Sequence, residues 1–248
     1  MKKYELTEET KVIGGKTLFR IRALRSFGGI KAGDLGGFIE NERNLSHGGN
    51  AWVGGNAEVY GNAQVVGYAQ VGGNAQVNGY AQVGGNAWVE DNAQVGGNAR
   101  VSGDAWVNGD ARVNGDAWVE DNARVDGDAW VGGYARVNGD AQVEDNAQVG
   151  GNARVGGYAW VGGNARVGGD GLINSNNDYL CEQGLGSRNR SASFFKCKDG
   201  HIHVLCGCFS GNLDEFENKV KEEHGNSKYS KEYLGFIEVV KTHFEVRQ

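Results

Sequence analysis

Two short pairs near the carboxyl end carry residue types that bind metals, His201-x-His203 and Cys206-x-Cys208. Zinc needs several nitrogen or sulfur ligands that converge on one point. In a β-strand, alternate side chains leave opposite faces, which places these histidines on one face and these cysteines on the other. The spacing therefore predicts no metal site, and we expect all four cysteines of the chain to be free thiols that pack as small apolar groups.

The histidines belong to a predicted hairpin that turns at Asp199-Gly200, a dipeptide typical of two-residue turns. In that register Lys198 pairs with His201, and Lys196 pairs with His203. One face would then pack inward, and it would consist of Phe195, Cys197, Ile202, Val204 and Cys206. The other face would be basic, and it would consist of Lys196, Lys198, His201 and His203.

The basic face suggests a second kind of site, one for anions. Arg188 and Arg190 lie in a loop rich in Gly and Ser just before the hairpin. Guanidinium groups and loop amides of this kind bind phosphate or carboxylate. A nucleotide or an acidic patch on a partner protein would fit, and a solvated charged strand is the alternative interpretation. The candidate anion-binding residues are Arg188, Arg190, Lys196, Lys198, His201 and His203.

Paired carboxylates occur at Glu90-Asp91, Glu120-Asp121 and Glu144-Asp145, inside a long repeat. The Asp of each pair stands where the repeat otherwise has Gly, and Asp tolerates the same left-handed turn conformation. A cation site would need several oxygens around one point. We therefore interpret these pairs as turn residues.

The repeat itself, from Gly48 to Ile173, has the six-residue consensus Ala-x-Val-x-Gly-Asn/Asp. Twenty valines recur every six residues from Val53 to Val167, and Ala stands two residues before each anchor, with Gly171 as the exception before Ile173. A period this short and strict predicts a solenoid, in which each unit buries its apolar face on its neighbours. Three hexads per coil give about seven coils of eighteen residues, with Val and Ala inside and Gly, Asn and Asp at the corners.

Positions eighteen residues apart stack on one face of such a coil. The outward residues of the first face are Trp52, Gln70, Trp88, Trp106, Arg124, Gln142 and Trp160. Exposed aromatic stripes are typical of contact surfaces. We predict a subunit or partner interface formed by Trp52, Trp88, Trp106 and Trp160 with the corner residues Tyr68 and Tyr158. Packing of these side chains along the coil stack, and a platform for a flat ligand, are the alternatives.

The segments on either side of the repeat are less regular. Residues 1–47, with a hairpin around Gly14-Gly15, are predicted to form an amino-terminal cap, since an open solenoid end exposes strand edges. Residues 174–248 are predicted to form a small α+β domain, with a hairpin and helices over 213–224 and about 230–244. Asn212 and Glu215 have the spacing of a capping box for the first of these helices. The fold class is thus mainly β.

Charge and hydropathy exclude some classes of partner. The formal net charge is −6, and residues 48–173 carry six Arg and no Lys against fourteen acidic residues, which is a charge of −8. Duplex nucleic acid needs a basic stripe and is not expected to bind. The chain has no long apolar run and no signal-peptide pattern, so we expect a soluble, cytoplasmic protein without membrane contact.

The repeat resembles the hexapeptide-repeat proteins, best known from acyltransferases, whose coils form a left-handed parallel β-helix. The segment from Ile30 to Ile39, followed by Asn44-Leu45-Ser46, resembles the entry motif of bacterial and phage β-helix proteins labelled as transferases or polymer-forming cytoskeletal proteins. The tail, with Gly186-Ser187-Arg188 and Cys206-Gly207-Cys208-Phe209, is similar to a module fused to such repeats in phage and prophage proteins.

Acyltransferases with this resemblance use a His as general base beside a loop that interrupts the coils. Residues 48–173 contain neither a His nor an inserted loop, and His47 at the mouth of the first coil suits a capping role. Without a base near the acceptor, acyl transfer lacks its proton carrier. We therefore expect a protein without enzymatic activity.

The expected function is that of a scaffold or interaction protein that needs no cofactor and forms homo-oligomers. It would bind a host protein or an anionic ligand mainly through the tail. If the chain is encoded by a phage or prophage, as the resemblance implies, it would act in the host cytoplasm, where countering a host defence is one role. The alternatives are a protein that sequesters a nucleotide or another anion, and a degenerate acyltransferase.

Overall fold

The structure is a computed structural model that describes residues 2–245. Its largest part is a parallel β-solenoid of about eight turns, from Leu35 to Ile173. Each turn of the repeat contributes one short strand to each of three parallel sheets, and paired strands are eighteen residues apart, as for Gln94 and Arg112. The predicted solenoid is confirmed, with one more turn than the repeat alone provides.

The strands of the repeat are two residues long, and they form three stacks. The first sheet contains Trp52–Val53, Gln70–Val71, Trp88–Val89, Trp106–Val107, Arg124–Val125, Gln142–Val143 and Trp160–Val161. The second contains Glu58–Val59, Gln76–Val77, Gln94–Val95, Arg112–Val113, Trp130–Val131, Gln148–Val149 and Arg166–Val167. The third contains Gln64–Val65, Gln82–Val83, Arg100–Val101, Trp118–Val119, Arg136–Val137, Arg154–Val155 and Leu172–Ile173.

The solenoid interior consists of the repeated Val and Ala side chains. Every Val anchor from Val53 to Val167 is buried, and so is every Ala from Ala51 to Ala165. The outward neighbours of the anchors are mostly half-buried or exposed. This burial confirms the predicted orientation of the repeat. The two residues of each strand lie on opposite faces because side chains alternate along a strand.

The corners use residues in the left-handed conformation. Most are Gly, and the exceptions in the repeat are Asp91, Asp121 and Asp145, with φ between 56° and 59°. Their carboxylates also accept hydrogen bonds from the next coil, for example from Gly139 N to Asp121 Oδ2 at 3.0 Å. The prediction that these acidic residues are turn residues is confirmed.

The amino-terminal segment forms a hairpin and the first coil. Strands β1 (Tyr4–Ile13) and β2 (Lys16–Ala23) are antiparallel around the predicted two-residue turn. Strand β3 (Leu35–Ile39) pairs antiparallel with β2 and parallel with Glu58–Val59, so it is also the first strand of the second sheet. A 3-10 helix, Glu42–Asn44, follows it.

Both ends of the solenoid need hydrogen-bond partners, and the need differs between them. The N–H before each Val anchor donates to the Ala carbonyl one coil on, as Gln94 N does to Ala111 O at 2.8 Å. The first coil of the repeat therefore has Ala carbonyls with no further repeat coil below them, and the last coil has N–H groups with no further repeat coil above them. Buried backbone groups left without partners would destabilise both ends.

At the amino end of the solenoid, side-chain N–H donors from the cap bind backbone carbonyls of the first repeat coil. The buried Asn44 donates from Nδ2 to Ala63 O at 2.8 Å and to Gly61 O at 3.1 Å. Lys3 is buried as well, and its Nζ donates to Ala51 O at 2.6 Å. Burial lowers the pKa of Lys3 to about 8, and the nearby Arg25 charge adds to that shift. His47 stacks on Tyr4 with ring centroids 4.3 Å apart and accepts from Lys3 N, which is the capping role predicted for it.

At the carboxyl end of the solenoid, side-chain oxygens from the tail accept hydrogen bonds from backbone N–H groups of the last coil. The Asn176 side chain accepts from Trp160 N at 2.7 Å, and the Ser193 hydroxyl accepts from Arg166 N at 2.8 Å. The Phe195 ring, which is fully buried, packs on Gly171. A Cβ at Gly171 would lie 2.8 Å from a Val167 methyl and 3.1 Å from that ring, which explains why Ala is absent from this one position.

The tail consists of one antiparallel sheet and two helices, preceded by a 3-10 helix, Asn176–Asp178. The sheet order is Tyr179–Leu185, Arg190–Lys196, Ile202–Cys206 and Phe209–Asn212. Helix α1 (Leu213–His224) begins with the predicted capping box, in which Asn212 accepts from Glu215 N. Helix α2 (Lys228–His243) begins two residues before the predicted start, because Ser227 caps it.

The register predicted for the tail hairpin is wrong by one residue. Cys197 N donates to His201 O at 2.9 Å, so the turn contains three residues instead of two. Phe195 consequently pairs with His203, and Lys196 pairs with Ile202. The face toward the helices consists of Ala192, Phe194, Lys196, Ile202, Val204 and Cys206. The face toward the solenoid consists of Ser193, Phe195, Cys197, His201, His203 and Leu205.

Among residues 2–245, no helix is both long enough and apolar enough to cross a membrane.

Candidate functional site

Three side chains with metal-binding chemistry lie together beside the turn of the tail hairpin. One ligand atom from each of Cys197, His201 and His203 lies within 4.8 Å of the other two. Cys197 is buried, His203 is half-buried and His201 is exposed, so the cluster spans the boundary between core and solvent. The three-residue turn produces this arrangement, because it puts positions 197, 201 and 203 on one face of the hairpin.

One ring nitrogen of each histidine in the cluster contacts a side-chain oxygen of a neighbouring residue. His201 Nδ1 contacts Asp199 Oδ1, and His203 Nε2 lies 2.9 Å from Ser210 Oγ. The ring of His203 also lies against Phe195, with centroids 5.4 Å apart. These contacts orient both imidazoles and leave His201 Nε2 and His203 Nδ1 for another partner.

The cluster opens into a cavity of about 770 Å³ between the solenoid end and the start of α1. The cavity is lined by Asp170 from the last coil, by Asn212 and Glu215 at the helix start, and by Lys241 from α2. Lys198, the first residue of the turn, pairs with Asp170 at 3.5 Å. A small ligand can therefore reach the cluster from solvent.

The protonation states follow from burial. Burial raises the pKa of the Cys197 thiol to about 11, and the Asp199 and Asp170 carboxylates add to this shift. Burial also lowers the pKa of His203, and the neighbouring His201 adds to that effect. At neutral pH the pair consists of a neutral thiol and a neutral imidazole. A protonated thiol is a weak nucleophile, so this is not the environment of a catalytic cysteine.

Sequence reasoning missed this cluster because it considered the wrong cysteines. Cys206 does lie on the face opposite His203, as alternation predicts, and it packs among the tail helices. The cysteine that joins the histidines is Cys197, which a two-residue turn would have placed on the other face. The four cysteines are free thiols, as predicted. Cys197 and Cys206 are buried and Cys181 is half-buried, but Cys208 is exposed, so the expectation that all four pack as apolar groups is wrong for Cys208.

The predicted anion-binding residues do not form one surface. Lys196 lies on the helix side of the sheet, where it pairs with Asp178 at 3.0 Å. Lys198 and His201 each have a carboxylate neighbour, Asp170 and Asp199 respectively. The prediction of a single basic face is wrong, because the register shift separates Lys196 from His201 and His203.

Arg188 and Arg190 lie together, at a different cavity. This cavity, of about 590 Å³, is also lined by Lys219, Glu223 and His224 from α1 and by Cys206 and Tyr233. Arg188 is exposed, whereas Arg190 is half-buried and contacts Gly207. The two arginines therefore remain a candidate for binding an anion, apart from the hairpin residues.

The aromatic stripe lies on the first sheet, as the stacking predicts. Trp88 and Trp106 are stacked with ring centroids 5.6 Å apart and are 38 % and 40 % exposed. Trp160, Tyr68 and Tyr158 are still more exposed. The inclusion of Trp52 in an exposed stripe is wrong, because Phe27 of the cap covers it edge to face and leaves it 4 % exposed.

The tryptophans of the other sheets have different surroundings. Trp118 of the third sheet lies between Arg100 and Arg136, whose guanidinium carbons are 4.9 and 4.7 Å from its ring centroid. Stacking along the coils thus accounts for Trp118 without a partner. By contrast, Trp106 of the first sheet has an arginine on one side only, with the guanidinium carbon of Arg124 5.8 Å from its ring centroid.

Comparison with known proteins agrees with the coil architecture. A family model described as the YdcK β-solenoid repeat matches residues 93–109 and 147–163, both inside the repeat. No curated protein matches the chain. The matched segments and the three stacked parallel sheets together make this chain a β-solenoid repeat protein.

Proposed function

We propose that the chain is a non-catalytic scaffold whose solenoid pairs with a second copy and holds the tail domain at the end of a rigid rod. The observation that carries this proposal is the exposed aromatic stripe of the first sheet. The packed Val and Ala interior leaves the outer faces, the ends and the tail as the surfaces available for recognition.

The order of side chains on that sheet favours a second copy as the partner. A two-fold axis through the central strand would place Trp106 opposite its own copy. One strand away, Trp88 would face Arg124 of the partner subunit, and two strands away Gln70 would face Gln142. Trp and Arg pair favourably through cation–π contacts, and a two-fold interface requires this kind of self-complementary pattern.

A residue swap tests this pairing. Trp88→Arg alone would place two guanidinium groups opposite each other, so we expect the dimer dissociation constant to rise at least about tenfold, equivalent to 1.4 kcal/mol. Adding Arg124→Trp restores one aromatic and one cationic group at each contact and should restore the dimer. Sedimentation velocity at micromolar concentration measures both variants.

Trp118→Ala is the matched control, because it removes a Trp from the third sheet and should leave the oligomeric state unchanged. A wild-type protein that sediments as a monomer, or a double variant that is no better than Trp88→Arg, would contradict the arrangement.

A second candidate function is anion binding by the tail, favoured by the cavity that Arg188, Arg190 and Lys219 line. The ligand would be a phosphate-bearing molecule or an acidic group of a host protein, the latter in keeping with the resemblance of the tail to phage modules. We expect native mass spectrometry to detect a bound nucleotide that Arg188→Ala weakens at least about tenfold, since charged hydrogen bonds contribute about 1.5–3 kcal/mol. Lys228→Ala, an exposed lysine outside the cavity lining, is the control and should bind like wild type.

A further inference from the structure

We propose that Cys197, His201 and His203 bind one divalent transition-metal ion, with zinc the best match, where the tail sheet meets the carboxyl end of the solenoid. The three ligand atoms already lie within 4.8 Å of one another. The site is separate from the aromatic stripe and from the arginine cavity on which the proposed functions depend.

The distances suit a small ion. Zinc bonds of about 2.3 Å to sulfur and about 2.0–2.1 Å to nitrogen, in tetrahedral geometry, put ligand atoms roughly 3.3–3.7 Å apart. Side-chain rotations that move each ligand atom by about 1 Å would therefore bring all three within bonding distance of one ion. A thiolate with two imidazoles selects zinc and related transition metals over magnesium or calcium, which prefer oxygen ligands.

The neighbouring oxygens complete the arrangement. Asp199 holds His201 Nδ1, and Ser210 holds His203 Nε2, so the other nitrogen of each ring can donate its lone pair to a metal. Ligating histidines are usually held through their second nitrogen in this way. Binding would release the Cys197 thiol proton to solvent, as the thiolate becomes a ligand.

Three protein ligands leave one tetrahedral position, and the ligands line the 770 Å³ cavity. A water molecule or an exogenous donor would occupy that position, as in zinc sites with an open coordination position. The ion would also strengthen the junction with the solenoid, because Cys197 forms a β-bridge with Gly171 and Lys198 N donates to Asp170 O.

Cobalt substitution tests the site on the full chain. Metal-free protein titrated with Co²⁺ should bind one ion per chain. The product should show visible bands of tetrahedral cobalt and a near-ultraviolet thiolate-to-cobalt charge-transfer band. Cys197→Ser should abolish the charge-transfer band, and His201→Gln should weaken binding at least about tenfold. Zinc should displace the cobalt and raise the thermal midpoint of the wild type, since a ligand that binds only the folded state stabilises it.

Cys208→Ser is the control for adventitious binding, because Cys208 is an exposed thiol of the same domain and should have no effect. His201 is exposed, so His201→Gln should fold normally, which far-ultraviolet circular dichroism checks. The proposal is overturned if the folded wild type binds no Co²⁺ at micromolar concentration. It is also overturned if the charge-transfer band survives Cys197→Ser, or if His201→Gln binds as tightly as wild type.

Discussion

Val95→Asp should unfold the middle of the solenoid, with a loss of more than about 4 kcal/mol of unfolding free energy. Val95 is fully buried, and the anchors of the adjacent coils, Val77 and Val113, stack directly on it. A carboxylate there would have no cationic partner and no water. Because each coil contacts only its neighbours, coils on both sides should lose protection against hydrogen exchange as well. Thermal denaturation followed by circular dichroism measures the overall loss.

Gln94→Asp is the matched control, because Gln94 is the other residue of the same two-residue strand and points to solvent. Its neighbours in the sheet are Gln76 and Arg112, so a carboxylate at this position is solvated and lies beside a cation. We expect a change within about 0.5 kcal/mol. Comparable losses for the two variants would mean that the inward and outward positions are assigned wrongly.

Phe195→Ala should detach the tail from the solenoid, at a cost of about 3–5 kcal/mol. The ring is fully buried, belongs to the solenoid core cluster and fills the space above Gly171. Its removal leaves a cavity at the junction where Ser193 supplies the acceptor for Arg166 N. Hydrogen exchange should therefore accelerate in the last coil, around residues 166–173, while α1 and α2 keep most of their protection.

Phe194→Ala separates this effect from a general loss of core volume. Phe194 is equally buried, but it points to the opposite face and packs against Phe216 and Phe236 of the helices. Its truncation should cost a similar amount and should expose the helices first, leaving the last coil protected. If both variants gave the same exchange pattern, the two faces of the tail sheet would not have separate partners.

The local sequence pattern was sufficient to predict the solenoid. The six-residue period determines which residues face inward, and the multiple of eighteen determines which outward residues stack in each sheet. Turn propensity explains Asp91, Asp121 and Asp145, and a capping box correctly places the start of α1. These features depend on residues that are close in sequence or that repeat in the next coil, so short-range rules apply to them.

The burial of Trp52 could not be read in the same way. Its hexad is like the others, but Phe27, which lies outside the repeat, covers it. The repeat pattern likewise gives no reason for Gly in place of Ala at position 171. The reason is the Phe195 ring, which packs against Gly171. The partners are Phe27 in the amino-terminal cap and Phe195 in the tail sheet, and no spacing rule connects either to the coil that it covers.

The sequence by itself determined that this protein is a stack of parallel coils with a Val and Ala interior, two dissimilar ends and an aromatic stripe. Only the tertiary structure decided which tail residues meet. A three-residue turn in place of a two-residue turn shifts the hairpin by one position, and a shift of one position moves a side chain to the other face of a strand. That shift brings Cys197 beside His201 and His203. It depends on how the sheet packs between the solenoid end and the helices. In the observed register Ile202 and Val204 share the helix-side cluster with Phe194, while Phe195 packs against the solenoid.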